Sequence, residues 1–489
     1  MTSYSGCRFY KDWVYAIEKD FHSSDGTPAE WASGQPQQYG DELASIPLAS
    51  KPESASVNAD ETLIAIAVEH DIFLYSTDIK SLTQVQVLRG HLSEIDAVEF
   101  HPTKPNVLVS CAMGNHGSEE IDPQIILWNL DEQRERRLLS DELSQKLGLH
   151  AAESVAKRLN DKEIVSEQVH PWSMSLFDTE VLTKDFAKAI TAQNVASEAE
   201  HSLKISGRLT CHFNSSVFNS TGTSLAFMPG MRPPSNGDEK WDVCIYDVPT
   251  NSVRLTLVGH RDAIMWIGFS PDDKYIATVC WDETFRIWSH ATGELIHTFR
   301  SKGQNWTGAF SHDSRFFAGM SGERRFWVWD LAHGVEVISA PFVGSRSHWC
   351  RVIDWSPDDK LLAVGGGRSG NVVVFDVKRQ EILQERVLSY EKSADELKKG
   401  RFGMIEMSFV RFVEDEGRYG RKVVMSSGAD QAVEVYDFGE NRKWRFAARQ
   451  GVDKGWGGDT LVLEKKGLIV SVNEEAVRFW ELPVKQAGL

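Results

Sequence analysis

Between residues 259 and 288 short apolar runs alternate with turn residues. The chain reads Gly259-His260, then Phe269-Ser270-Pro271-Asp272-Asp273, then Ile276-Ala277-Thr278, then Trp281-Asp282, then Phe285-Arg286-Ile287-Trp288. The runs are about four to seven residues long and rich in β-branched and aromatic types, as strands are, while Gly, Pro and Asp break them. With one more strand after Trp288 the pattern predicts a four-stranded meander of about 40 residues.

The same pattern recurs along the chain. An aromatic closes the third run at Tyr75, Trp128, Tyr246, Trp288, Trp329, Phe375, Tyr436 and Trp480. Trp288 follows Tyr246 by 42 residues and Trp329 follows Trp288 by 41, whereas 118 residues separate Trp128 from Tyr246. Near-regular spacing with a few long gaps predicts a repeat array carrying loop insertions. Asp or Glu stands six residues ahead of many of these aromatics, at Glu69, Asp122, Asp282, Glu323, Asp430 and Glu474.

These motifs resemble WD40 repeats. The nearest matches are Gly259-His260 with Thr278, Asp282 and Trp288, and Gly90-His91 with Ser110, Asp122 and Trp128; Trp329-Asp330 is the family's naming dipeptide. The resemblance covers roughly residues 42–484. It implies an all-β, closed WD40-like β-propeller of eight blades, or seven if one degenerate unit is not a full blade. It also implies structural tetrads of His, Ser or Thr, Asp and Trp within a blade, here His91, Ser110, Asp122 and Trp128, and His260, Thr278, Asp282 and Trp288. A buried Asp or His without hydrogen-bond partners would cost several kcal/mol, which gives such a tetrad its physical reason. The units ending at Phe375 and Tyr436 lack the Gly-His pair, and Gly303-Gln304 stands where it is expected ahead of Trp329.

The organisation expected is an N-terminal extension at 1–41, the propeller at 42–484 and a short tail at 485–489. The last unit, at 460–481, holds three strands, so its fourth is expected from 42–48, which would remove the free sheet edges. An insertion at about 131–205 carries Leu143, Leu147, Ala151, Val155 and Leu159, and then Leu182, Phe186 and Ile190, at the four-residue spacing of amphipathic helices. The second blade would then take its fourth strand near 202–206. Loops at 112–121 and 229–240 join second to third strands, and 388–403 reads as a blade-to-blade loop.

Composition narrows the class. Of 489 residues 41% are hydrophobic and 25% charged, close to the globular average, and 16 Trp, 37 Gly and 24 Phe suit many short strands. Fifty-three basic against 70 acidic residues leave a net charge of −17, which argues against nucleic-acid phosphate as the main partner. No apolar run approaches the length of a membrane span, and residues 1–19 carry no apolar core of an export signal. The six cysteines form no CxxC pair, which fits reduced thiols and a cytoplasmic or nuclear, not secreted, protein.

Enzyme signatures are missing from the sequence: there is no GxSxG elbow, P-loop or HExxH. The literal GxGxxG at Gly365, Gly367 and Gly370 runs into the strand-like Asn371 to Phe375, whereas a dinucleotide site needs a helix there. Gly365, Gly367 and Gly370 therefore read as a turn. His91 and His260, in Ser/Thr and Asp company, imitate a catalytic set, but the resemblance makes them structural. Cys111, Cys244 and Cys280 sit in strand-like runs as small core residues. No catalytic residue, metal or cofactor is expected.

The resemblance implies docking on the face built by second-to-third-strand loops and blade-to-blade loops. Trp281 precedes Asp282 there, Trp306 and Trp349 enter first strands, and Met265 and Arg351 hold comparable positions. Trp and Arg are enriched in interface hot spots, although first-strand aromatics also fill gaps between blades. The function expected is a non-catalytic scaffold or adaptor binding a protein or peptide partner on that face. The alternatives are a propeller enzyme or small-molecule or metal binder using the central channel, and a reader of modified peptide tails, which would need two or three convergent aromatics.

Overall fold

A computed structural model describes residues 14–33, 42–112, 114, 122–131, 146, 150, 203–210, 215–233, 241–342, 350–366, 371–391, 407–414, 421–427, 432–446, 459–473 and 476–483. The fold is all-β. Three strands come first: β1 (Val14–Lys19), β2 (Glu30–Trp31) and β3 (Ala44–Pro47). The repeats follow. The first holds β4 (Pro52–Val57), β5 (Leu63–Val68), β6 (Asp71–Ser76) and β7 (Gln84–Arg89). The second holds β8 (Ile95–Phe100), β9 (Val107–Ala112), β10 (Gln124–Asn129) and β11 (Leu203–Arg208). Then come β12 (Ser224–Pro229), β13 (Trp241–Asp247) and β14 (Ser252–His260). The fourth and fifth repeats are β15 (Ile264–Phe269), β16 (Tyr275–Cys280), β17 (Thr284–Ser289), β18 (Leu295–Arg300), and β19 (Asn305–Phe310), β20 (Phe316–Ser321), β21 (Arg325–Asp330), β22 (Val335–Pro341). The sixth is β23 (Cys350–Trp355), β24 (Leu361–Gly366), β25 (Asn371–Asp376) and β26 (Glu381–Glu391). The seventh is β27 (Met407–Glu414), β28 (Arg421–Ser427), β29 (Val433–Asp437) and β30 (Arg442–Phe446), and the last β31 (Thr460–Leu463), β32 (Leu468–Val472) and β33 (Ala476–Glu481).

Within each repeat the strands pair antiparallel in chain order. The recurring aromatics fall in β6, β10, β13, β17, β21, β25, β29 and β33. Hydrophobic clusters tie each repeat to the next, from the first two to the seventh with the last. A further cluster joins Leu463, Leu468 and Phe479 of the last repeat to Ile64 and Ile66 of the first. Middle strands are therefore covered on both faces. Every residue of Leu361–Gly366 is buried, and such strands read as unbroken apolar runs. The outer strand Ser252–His260 is mostly exposed and reads as mixed.

Gly365 lies in β24, whose Gly366 pairs with Asn371 at the start of β25, so the next described element is a strand and not a helix; Gly367 and Gly370 lie outside the described residues. The chain leaves the second repeat at β10 and returns as β11, with Gln124 opposite Ser206. Between them the helical insertion lies outside the described residues, apart from helical Asp131, Lys146 and His150. β11 also reaches the third repeat, pairing Gly207 with Pro229 and Arg208 with Met228. A Cβ on Gly207 would sit 2.7 Å from the Met228 carbonyl oxygen and from a Phe227 ring carbon, so only glycine permits the approach.

Within the N-terminal extension at 1–41, β1 adds antiparallel to β26 and β2 adds parallel to β30. One expectation is corrected here. The loop expected at 388–403 begins as strand: β26 runs on to Glu391, since Val14 to Ile17 supply ladder partners for Leu388 to Glu391. β3 then pairs with β33, Ala44 opposite Phe479 and Pro47 opposite Ala476. Phe21 is buried and stacks on Tyr436 with ring centroids 4.3 Å apart. The Tyr436 hydroxyl donates to the His22 carbonyl at 3.1 Å, and Lys443 pairs with Asp20.

One irregularity recurs in the first strands. Register shifts fall between Pro52 and Ser54, Ile95 and Ala97, Ile264 and Trp266, Asn305 and Thr307, Cys350 and Val352, and Met407 and Phe409. Each leaves a second residue outside the ladder: Glu53, Asp96, Met265, Trp306, Arg351 and Ser408. A bulge re-aims the side chain it frees.

Candidate docking face

The face rests on the hydrogen bonds beneath it. His260 ends β14, Thr278 lies in β16 and Trp288 in β17. Trp288 Nε1 donates to Thr278 Oγ1 at 3.0 Å, and the same oxygen lies 2.6 Å from His260 Nε2. An indole N–H only donates, so the threonine hydroxyl accepts from Trp288 and gives its own proton to Nε2. His260 then carries its proton on Nδ1 and donates to Asp282 Oδ2 at 2.8 Å. Asp282 also accepts from Arg261 N at 3.1 Å and from the Thr284 hydroxyl at 2.5 Å. Burial pushes the His260 imidazole down, keeping it neutral. Burial works to raise Asp282, yet the donors from His260, Thr284 and Arg261 hold it well below the usual carboxylate range. A Cβ on Gly259, whose φ is +135°, would meet the Arg286 guanidinium at 2.4 Å.

The second set differs. His91 Nε2 lies 2.6 Å from Ser110 Oγ, which accepts from Trp128 Nε1 at 2.8 Å. Asp122 is exposed, and His91 Nδ1 is buried with no hydrogen-bond partner among the described residues. Among the described residues the expected four-membered set is three-membered, with Asp122 exposed. Burial, with lesser contributions from Lys204 and His70, pushes the His91 imidazole down to about 3.

His260, Cys280 and Asp282 bring a nitrogen, a thiol and a carboxylate within 4.8 Å of one another. They are committed to the fold: both His260 nitrogens and Asp282 are hydrogen-bonded as above, and Cys280 Sγ donates to the Asp262 carbonyl at 3.0 Å. Burial, then the nearby Asp282 charge, raise the Cys280 thiol far from its ionised form.

Trp281 follows β16 on the same face, its backbone N–H donating to Ala263 O at 2.9 Å. Its ring is half-buried against the cluster on which Met265 also packs, and its Nε1 is buried without a hydrogen-bond partner among the described residues. Trp306 meets it edge-on, with centroids 5.2 Å apart. Trp306 is only 6% exposed, so the bulge turns it onto Trp281 and into the seam between repeats, not to solvent. Met265 is half-buried in its own bulge. Arg351 occupies the matching bulge of β23, and Trp349 lies outside the described residues.

Sequence reasoning missed the neighbours of Trp281. Arg232, in the turn after β12, lies 6.0 Å from the Trp281 ring and 5.9 Å from that of Trp241, and Arg208 lies 5.8 Å from Trp241. Only the Arg-rich flanks of Gly207 and Gly230 hinted at them. Burial also pushes the Asp96 carboxyl up to about 6, and its Oδ1 is buried without a partner among the described residues. At the opposite ends of the strands a cavity of about 500 Å³ is lined by His312, Asp354, Arg411 and Glu464, with Arg411 and Glu464 paired at 3.1 Å.

Comparison with known proteins decides the family. The model of the WD domain, G-beta repeat, matches residues 251–289 and 340–376. The chain is a WD40-repeat protein. It shares its fold with Sqt1 of Saccharomyces cerevisiae, at a TM-score of 0.57 and 10% identity over 91% of this chain and 100% of that one. It is 33% identical to Protein tipD of Dictyostelium discoideum over 144 residues, 28% of this chain and 22% of that protein. It is 30% identical to Transcription initiation factor TFIID subunit 5 of Caenorhabditis elegans over 132 residues, 26% of this chain and 19% of that one. The matched segment thus spans about a fifth of each of these two relatives. Among the described residues no helix is long and apolar enough to cross a membrane.

Proposed function

We propose that this WD40 chain is a closed ring of eight blades acting as a non-catalytic scaffold, with a protein or peptide partner docked on the face around Trp281. Seven clusters between consecutive repeats, an eighth between last and first, and the β3–β33 pairing support the closed ring. The observation that carries the docking reading is Trp281 itself. It is a half-buried indole met edge-on by Trp306 and packed, like Met265, against the cluster between the third and fourth repeats, on the face where first strands begin. Trp281 and Met265 form the contact surface, and Trp306 stiffens it from beneath.

The relative named as a TFIID subunit is by that name part of an assembly, which supports a scaffold. A net charge of −17 argues against nucleic acid as the partner. Buried, unpaired Cys111, Cys244 and Cys280 suit the cytoplasm or nucleus. A cage for a methylated ammonium needs convergent open aromatic faces, and Trp306 is buried against Trp281.

Affinity capture from native lysate tests the reading. Trp281→Ala, with its thermal midpoint checked, should lose the proteins that wild type retains. An unchanged set of partners on the folded variant would contradict it.

A further inference from the structure

Arg208 and Arg232 form an unusual pair for a chain carrying a net charge of −17. Arg208 ends the outer strand of the second repeat, and Arg232 follows the β12 strand to which β11 is hydrogen-bonded. Both guanidiniums lie within 6 Å of the Trp241 ring, at 5.8 and 5.9 Å. Trp241 is buried, so its position is fixed, and it holds both cations by its π face. Arg208 is half-buried and spends Nε on the Gly230 carbonyl at 3.0 Å. Its two terminal nitrogens make no hydrogen bond, and Arg232 is exposed, with neither hydrogen bond nor ion pair among the described residues. Burial, and next the charge of Arg232, push Arg208 down to about 10, so the two like charges are felt by each other. Asp96 is the carboxylate whose charge reaches Arg208, and it forms no ion pair with it.

Two guanidiniums held on the Trp241 ring beside Trp281, with no ion pair among the described residues, are a receptor for negative charge. We propose that Arg208 and Arg232 clamp adjacent carboxylate side chains of an acidic peptide segment in the partner. The proposal rests on the docking reading above and adds the partner's chemistry. Each planar guanidinium can grip one carboxylate through two parallel N–H donors. Bound anions would also relieve the repulsion between the two cations. Two neighbouring Asp or Glu side chains match the pair in charge, and Trp281, 6.0 Å from Arg232, would take the next residue of the segment.

The test uses the full chain and three fluorescent peptides differing at two adjacent positions: Glu-Glu, Gln-Gln and phosphoserine-Gln. Anisotropy titrations should give binding of the Glu-Glu peptide at least about tenfold tighter than the Gln-Gln peptide. Arg232→Gln should weaken the Glu-Glu peptide about tenfold, and the Arg208→Gln, Arg232→Gln pair should bring it to the Gln-Gln level. Thermal midpoints equal to wild type show that the variants fold. Equal binding of Glu-Glu and Gln-Gln, or no loss in the folded double variant, would overturn the clamp. A phosphoserine-Gln peptide binding more than about tenfold tighter than Glu-Glu would overturn the carboxylate assignment. Lysate capture separates this from the docking reading: partners lost with Trp281→Ala but kept with the double arginine variant leave the face standing and remove the clamp.

Discussion

His91 and His260 hold the same position in their repeats and differ in one atom's company. His260 Nδ1 donates to Asp282, whereas His91 Nδ1 has no partner among the described residues. Removing the acceptor at Asp282 breaks a buried pair, so Asp282→Asn should cost about 3 kcal/mol by urea unfolding. Asp122→Asn, at an exposed side chain, should stay within about 0.5 kcal/mol of wild type. The pH dependence of His91 has a definite sign. Its folded imidazole sits at about 3 against an ordinary 6.5. Below pH 6.5 the unfolded chain therefore binds a proton that the folded chain refuses. Stability falls by up to about 1.4 kcal/mol per pH unit as pH drops toward 3. Asp96, Asp354 and Asp459, pushed up to about 6 by burial, act oppositely, gaining stability as pH falls from 6 toward 3.8. Comparing His91→Gln with wild type cancels those terms. Thermal midpoints should show the variant losing less between pH 7 and pH 5 than wild type does. The Gly-His, Thr and Trp positions were legible because a hydrogen-bonded set fixes their spacing. Asp122 matches Trp128 in spacing yet is exposed, a difference that spacing alone does not show.

At the scale of elements, the strands were legible and their irregularities were not. Apolar runs bounded by Gly, Pro and Asp announce a strand, and the recurring aromatic marks its place in the meander. A bulge adds one residue to a first strand without breaking the apolar pattern, so the shared fate of Met265, Trp306 and Arg351 appears only in the register. The N-terminal strands were equally hidden. A six-residue and a two-residue strand carry no repeat signal, and the edges of β26 and β30 make them strands. Backbone groups on an outer edge otherwise face solvent, as on β14 and β18, where Val253, Val258, Leu295 and Ile296 are exposed. Phe21 pins the N-terminal segment to Tyr436, so Phe21→Ala should cost about 3 kcal/mol there. Hydrogen exchange should quicken along Glu381–Glu391 and Arg442–Phe446 and remain unchanged along Leu295–Arg300. Equal exchange in all three strands would mean that Phe21 does not hold the segment.

At the scale of the molecule, alternation of strand direction sorts every loop to one of two faces. Trp281, Arg232, Lys302 and Lys51 share the face where first strands begin; Lys104, Lys274, Lys360 and Lys465 lie in turns on the other. Scaffold function requires that one face be used. The most direct measurement is lysine cross-linking of the complex captured from native lysate, read by mass spectrometry. Intermolecular cross-links at Lys302 and Lys51, with Lys104, Lys274, Lys360 and Lys465 unlinked, are the result expected. Cross-links concentrated on those four lysines instead would contradict docking on the Trp281 face.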